Sequence, residues 1–384
     1  AGVLVGVSVG VLVGATGVLT NPEDVLTPTQ RERLAAAARS RATVSIVGER
    51  DLATGAARPA GEGPTTWRFK ARDCRSFAWA SSPAFLWDEA TTTTGVRCRS
   101  LYPREALPAW RAATDDLAYS IEVYSEMLAP YPYPDAVNVN GRVGGMEDPG
   151  IVFCSERKDP EQLWLVTTHE IGHAWFPMLV NTDERRHAWM DEGFNTFINA
   201  LATDRRYPDA KQSGPFRGLL SGWFEHLAFR EFMTGVERRA CDTPPDRMPP
   251  PQVAWSQYAV PAVGLAYLRD EILGPKRFDA AFKEYVALWS FKSPRPADFF
   301  RCMENAAGAD LAWFWRGWLL EPNVVDQEAF LVEVKPDGGV VFGFQNRGMP
   351  TPIVVRATWS DGATETFRIP VEAFATTDVV ERSP

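Results

Sequence analysis

Apolar and polar positions change period several times along the chain. From residue 3 to residue 14, Val and Leu alternate almost strictly with Gly and Ser, Leu4 and Leu12 being the exceptions. That period of two reads as strand or hairpin. Residues 1–19 carry no charge and are long enough to imitate a membrane span, but Gly at 2, 6, 10, 14 and 17 disfavours a helix there. Runs over 42–47 and 65–69, rich in Val, Thr and aromatics and bounded by turn residues, predict further strands. One helix is expected over 27–40, with Thr27 or Thr29 as its cap.

A different pattern begins near Pro103. Leu107, Trp110, Ala113, Leu117, Ile121, Tyr124 and Leu128 recur at helical spacing over 105–129, and the PYPYP run from Pro130 ends that helix. A strand over 136–140 is followed by the Gly-rich GRVGGMEDPG. From 161 to about 319 the pattern is mostly helical, broken by a Pro-rich stretch at 243–251 that is expected to form a loop over a cleft. Strands return at 330–334, 339–344, 353–359 and 364–369, with turns at 336–339 and 361–362. The expected fold class is α+β. A partial N-terminal β domain takes residues 1–102, a mainly helical domain 103–321 and a small C-terminal β-sandwich 322–384.

Composition narrows the function classes. A length of 384 residues exceeds one ordinary core, and 45% hydrophobic with 23% charged residues is globular rather than disordered. The 14 Trp favour buried aromatic clusters or an aromatic-lined cleft. A net charge of −9 without any Lys/Arg run argues against nucleic acid as a partner. Cysteines at 74, 98, 154, 241 and 302 form no C-x-x-C pair, so free buried thiols are expected, with a Cys74–Cys98 disulfide as the alternative. No Met opens the chain, which is therefore expected to begin inside a longer protein. Neither compartment nor oligomeric state is legible, and membrane association is not indicated.

The chemistry concentrates in the histidines, of which there are four. Two lie in His169-Glu170-Ile171-Gly172-His173, an HExxH. Positions i and i+4 of a helix sit about 40° apart around the axis, so both imidazoles project from one face, as a zinc pair requires. Gly172 is a poor helix former but leaves room for backbone or substrate. Eighteen residues after His173 comes Glu192, within Trp189-Met190-Asp191-Glu192-Gly193-Phe194. A second helix over 188–203 would cross the first and lend that carboxylate. His169, His173 and Glu192 make three zinc ligands per chain and leave an open position, which is a catalytic and not a structural arrangement. His187 is the alternative ligand, though its charged turn DERRH reads as surface, and His226 reads as a packed helix residue.

HEIGH, the eighteen-residue gap and WMDEGF together resemble the gluzincin aminopeptidases of the aminopeptidase N family. Gly144-Gly145-Met146-Glu147 is similar to that family's Gly-x-Met-Glu-Asn exopeptidase motif, and Tyr258 lies in a segment like the one carrying its catalytic tyrosine. Phe77-Ala-Trp-Ala-Ser resembles the end of its N-terminal β domain. Three positions depart from the pattern: Asp148 replaces the motif's Asn, Asn199 replaces a Glu seven residues after the ligand Glu, and Val260 replaces a Lys. The resemblance implies a thermolysin-like catalytic domain and a zinc aminopeptidase acting on peptides with a free N-terminus. Zinc would acidify water and polarise the scissile carbonyl. Glu170 would move the proton to the leaving amine, Tyr258 would steady the oxyanion, and Gly144, Gly145, Met146 and Glu147 would bind substrate, with Glu147 on its ammonium. Competing readings are a zinc endopeptidase or hydrolase of another small substrate, and a metal-free scaffold. Against the last, all three ligands and Glu170 are present. Met303-Glu304-Asn305 imitates the exopeptidase motif without its glycines and reads as helix surface.

Overall fold

The computed structural model describes residues 2–7, 11–59, 63–208, 238–336, 338–375 and 379–382. It divides into two compact units. The first comprises residues 1–181, 198–210 and 286–293, and the second 182–197, 211–285 and 294–384.

In the first unit the alternating N-terminal stretch is β structure over 2–7 and 12–15, as its period of two predicts, and residues 8–10 lie outside the described residues. β1 (Gly2–Val7), β2 (Leu12–Ala15) and β3 (Val18–Leu19) are short strands. The helices α1 (Pro22–Val25) and α2 (Pro28–Ala37) follow. Thr27 is the cap of α2: its side chain accepts from Gln30 N, while the Gln30 side chain accepts from Thr27 N at 2.8 Å, a reciprocal capping box. Next come β4 (Val44–Val47), the short helix α3 (Glu49–Ala53), β5 (Thr65–Lys70) and β6 (Trp79–Ser82). β5 lies between β1 and β3, and β2 pairs with β6.

The sheet that matters for function contains β7 (Phe85–Thr91), β8 (Arg97–Pro103), β9 (Asp135–Asn140), β10 (Gly145–Asp148) and β11 (Ile151–Cys154). With β4 they form a six-stranded sheet in the order β10-β11-β9-β8-β7-β4. β8 and β9 are parallel, joined by a crossover through the helix α4 (Ala113–Met127). The sheet thus runs through the change of pattern at Pro103. The helical period over 105–129 is only partly α-helix, because short 3₁₀ turns at Arg104–Ala106 and Ala109–Ala112 precede α4. α4 packs Leu117, Ile121 and Tyr124 inward, all fully buried. The helix α5 (Pro160–Gly172), capped by Asp159 with Pro160 at its first position, lies against α4.

The second unit contains the 3₁₀ turn Ala188–Met190 and the first part of α6 (Glu192–Arg206), a helix whose residues from Ile198 on belong to the first unit. The expected single helix over 188–203 is therefore interrupted at Asp191. The reason is tertiary: the Trp189 ring is buried in an aromatic cluster, stacked on Phe300 at 6.1 Å and edge-on to Phe194 at 5.5 Å. Phe194 in turn meets Phe299 at 4.7 Å, and Phe300 stacks on Trp315 at 4.6 Å. Trp189 and Trp315 thus belong to one aromatic cluster.

The Pro-rich stretch begins as a loop with a short 3₁₀ turn, Pro245–Arg247, but helix resumes at Pro250, two residues sooner than expected. C-terminal strands β12 (Gln327–Val334), β13 (Val340–Asn346), β14 (Ile353–Thr358), β15 (Thr364–Ile369) and β16 (Val379–Arg382) form a three-stranded sheet, β12-β13-β16, and the hairpin β14–β15. β16 was not anticipated from the sequence. Phe344, Ile369 and Phe374 form the core between them. All five cysteines are free, which excludes the Cys74–Cys98 bridge here. Among the described residues no helix is long and apolar enough to cross a membrane.

Candidate active site

His169 and His173 stand at the C-terminal end of α5. The helix stops as the second histidine is reached, His173 being its C-cap at φ −60°, ψ −14°. That backbone is still helical, so the i, i+4 relation survives. The chain then bends at Phe176 (φ −134°, ψ 108°), which returns its carbonyl toward the helix.

The other ring nitrogens reveal the protonation pattern. His173 Nδ1 donates to the Phe176 carbonyl at 2.7 Å, and His169 Nδ1 donates to Asn199 Oδ1 at 2.8 Å. Asn199 cannot be turned over, because its Nδ2 donates to Tyr124 Oη at 2.9 Å and to the Thr168 carbonyl at 3.3 Å. A carbonyl and an amide oxygen only accept, so both Nδ1 atoms carry hydrogen. In the neutral rings each Nε2 then bears a lone pair, and the two Nε2 atoms lie 3.2 Å apart with the rings nearly perpendicular. A cation satisfies both, and imidazole nitrogens oriented by outer hydrogen bonds are the usual zinc donors.

A buried network below this pair keeps Asn199 in place. Tyr124 Oη also meets Thr168 Oγ1 at 2.8 Å, and Ser120 Oγ donates to Thr168 Oγ1 at 3.1 Å. Burial pushes the Tyr124 phenol well up, so it stays a neutral donor and acceptor. Asn199 was singled out from the sequence, but Tyr124 appeared there only as a helix-face residue. Nothing local marks it, because its role depends on α4 packing against α5.

Glu170 is also in the first unit, buried on α5. A Cβ added to Gly145 would meet Glu170 Oε1 at 2.1 Å, so the carboxylate lies directly over β10 and would have to move aside for any side chain there. β10 is the edge strand of the six-stranded sheet and carries the GGMED motif, with Met146 exposed and Glu147 half-buried. A Glu147 carboxylate oxygen lies within 4.8 Å of a His173 ring nitrogen. Asp148, on the opposite face of β10, accepts from Ser76 Oγ at 2.8 Å. Burial raises its carboxyl pKa, opposed by that hydrogen bond and reinforced by Glu147. Behind Glu170 sits Cys154, whose thiol burial pushes well up, with the Glu170 charge adding to the effect, so it stays protonated.

In the second unit Glu192 and Tyr258 are brought together. Glu192 opens α6, and Tyr258 Oη donates to Glu192 Oε1 at 2.6 Å. Tyr258 lies in a π-helical stretch, Ala254–Ala259, a geometry often found at functional sites. Gly193 permits close packing there, since a Cβ would fall 2.5 Å from Pro261 Cγ and 3.1 Å from the Gln257 carbonyl. His187 Nδ1 instead engages Asp242 Oδ1 at 2.6 Å, and His187 belongs to none of the metal-holding groups found among the described residues. His226 lies outside the described residues. Glu304 of the look-alike Met-Glu-Asn accepts from Trp315 Nε1 at 2.9 Å, a packing role. His, Glu and Asp side chains able to hold a metal ion are therefore present, and both such groups include His173.

Comparison with known proteins agrees with this chemistry. The model of the peptidase family M1 domain matches residues 113–318, more than half of the chain. The chain belongs to peptidase family M1. Family members are generally zinc-dependent. Among relatives, Aminopeptidase M1-A of Oryza sativa subsp. japonica is 23% identical over 256 residues, covering 61% of this chain and 28% of that protein. Aminopeptidase M1 of Arabidopsis thaliana is 31% identical over 142 residues, covering 33% and 16%. Leukotriene A-4 hydrolase of Xenopus laevis is 24% identical over 226 residues, covering 55% and 34%. The M1 chain thus spans well under half the length of each of these relatives. The crystal structure of Legionella pneumophila aminopeptidase A in complex with aspartic acid shares the fold, with a TM-score of 0.63 at 14% identity, over 97% of this chain and 40% of that one.

Proposed function

We propose that this M1 chain is a zinc aminopeptidase that hydrolyses the first peptide bond of peptides with a free N-terminus. The observation that carries the reading is the facing Nε2 pair of His169 and His173, each oriented by an acceptor on its Nδ1. In this reading Glu192 is the third ligand, and one zinc is bound per chain. Zinc supplies a Lewis acid that acidifies water and polarises the scissile carbonyl. Glu170 takes the proton of the attacking water and passes it to the leaving amine, from a buried seat above β10. Tyr258 donates its phenolic hydrogen to the developing oxyanion, exchanging its resting bond to Glu192 for one to substrate. Glu147 holds the substrate ammonium, with Gly144, Gly145 and Met146 lining the approach. A half-buried carboxylate beside neutral imidazoles gains most from a cationic partner, and that partner sets the register of cleavage at the first bond. The segments 1–102, 103–321 and 322–384 are proposed as its domains.

A free and an N-acetylated version of one peptide test this directly. The free form should be cut after its first residue and the acetylated form left intact, and Glu147→Gln should slow only the former. Equal cleavage of both, or cuts deep inside the peptide, would replace the exopeptidase by an endopeptidase. A second reading, a hydrolase of another small substrate, draws on the name of the Xenopus laevis relative. Turnover of neither peptide by zinc-loaded protein would favour it.

A further inference from the structure

The loop that follows residue 240 holds both elements that carry Glu192 and Tyr258. Asp242 Oδ1 accepts two hydrogen bonds, from His187 Nδ1 at 2.6 Å and from Trp189 Nε1 at 2.8 Å. His187 caps, and Trp189 lies within, the 3₁₀ turn Ala188–Met190 that leads into Glu192. On its other side the same loop is gripped by Gln257, the neighbour of Tyr258. The fully buried Gln257 side chain donates through Nε2 to the Cys241 carbonyl at 3.0 Å and the Thr243 carbonyl at 3.4 Å. The loop is also anchored away from both elements: Asp242 N donates to the Leu319 carbonyl at 3.1 Å, and Cys241 Sγ reaches the Trp318 carbonyl at 3.5 Å.

These contacts solve a mechanical problem. A single 3₁₀ turn has little rigidity of its own. The aromatic cluster confines the Trp189 ring by stacking and edge contacts. A carboxylate oxygen on the indole N–H adds a directional bond that the rings do not supply, and its second bond to His187 fixes the start of the turn. A charge-assisted acceptor is about twice as strong as a neutral one, which suits a residue bracing two donors at once.

We infer that Asp242 is a positioning residue that, with Gln257, sets the seat of the Glu192–Tyr258 pair. The inference rests on the reading of Glu192 as a metal ligand and Tyr258 as the oxyanion donor. Neither Asp242 nor Gln257 touches substrate in that reading. They act through the backbone that carries the two groups, and displacement of a reacting group by about 1 Å is enough to slow catalysis roughly a hundredfold.

The test is a double-mutant cycle in the zinc-loaded chain, with kcat, KM and the rate of zinc release to a chromogenic chelator read for each variant. Asp242→Ala should lower kcat at least about tenfold with little change in KM, and should release zinc several-fold faster in the absence of substrate. Asp242→Asn should recover most of the loss, because its Oδ1 can accept the same two bonds. Combined with Tyr258→Phe, the Asp242→Ala loss in kcat should shrink by the share that acts through the phenol, while the faster zinc release, which acts through Glu192, should persist. If Asp242→Ala does not fold, His187→Ala removes one of the two bonds at a partly exposed position. It should give a smaller loss of the same kind. A Tyr258→Phe variant that is slow, beside unchanged kcat and unchanged zinc release in Asp242→Ala and His187→Ala, overturns the positioning role alone. A Tyr258→Phe variant as fast as the parent overturns the reading of Tyr258, and the inference with it.

Discussion

At the scale of single residues, the site is a set of hydrogen bonds whose direction is dictated by groups that can only donate or only accept. Asn199 is the instructive case. An amide can offer Oδ1 to His169 only while Nδ2 is held by Tyr124 and the Thr168 carbonyl. A glutamate in this position would set a carboxylate oxygen against that carbonyl, so the amide belongs with its surroundings. Asn199→Ala should weaken zinc binding by roughly 10- to 100-fold, measured by competition with a chelator. An unchanged affinity would remove Asn199 from the support of His169. Glu170 makes the opposite demand, since its replacement leaves both imidazoles and their partners untouched. Glu170→Gln should keep full zinc by elemental analysis while losing roughly 100-fold or more in kcat. Turnover near the parent rate would assign the proton transfer to another group.

At the scale of elements, two glycines show how closely the functional pieces approach. Gly145 lets α5 lay Glu170 over β10, and Gly193 lets the start of α6 press against Pro261 and the Gln257 carbonyl. In the second case the neighbours are a ring and a backbone oxygen, which have no rotamer to yield. Gly193→Ala should therefore lower stability by roughly 1–3 kcal/mol, the usual range for overpacking. Denaturant titration measures it, and a midpoint equal to the parent's would show that the two segments separate at no cost. The same crowding explains why the helix expected over 188–203 breaks. The aromatic cluster claims Trp189, and α6 restarts with Glu192 in its first turn, where a carboxylate is favoured by the helix dipole.

At the scale of the whole molecule, zinc is the ligand that would bind the native chain and not the unfolded one. Binding of that kind stabilises by about 2.7 kcal/mol when free metal is 100 times Kd. Calorimetry of chelator-stripped protein with and without added zinc should show a higher Tm with the metal, and His169→Ala should abolish the difference. Identical melting of stripped and zinc-treated parent protein would count against the ligand set. The buried thiols need not complicate this experiment. Burial raises the pKa of Cys98, Cys154 and Cys241, which keeps them protonated and unreactive.

What the sequence determined by itself was the local chemistry. HExxH places two imidazoles on one helix face through nothing more than the helical repeat, and α5 carries them as the spacing predicts. The Thr27 cap, the C-terminal hairpin and the N-terminal alternation were legible for the same reason, since each is a pattern completed within a few residues. Tertiary structure decided everything that joins distant segments. It determined that β8 and β9 share one sheet, that α6 starts only at Glu192, and that His187 meets Asp242. Asp242 borders a Pro-rich stretch that announces only a loop, and Gln257 lies in a mainly helical pattern that names no partner. Their partners stand between 14 and 55 residues away in sequence, and periodicity carries no information about which chain segments meet at that range.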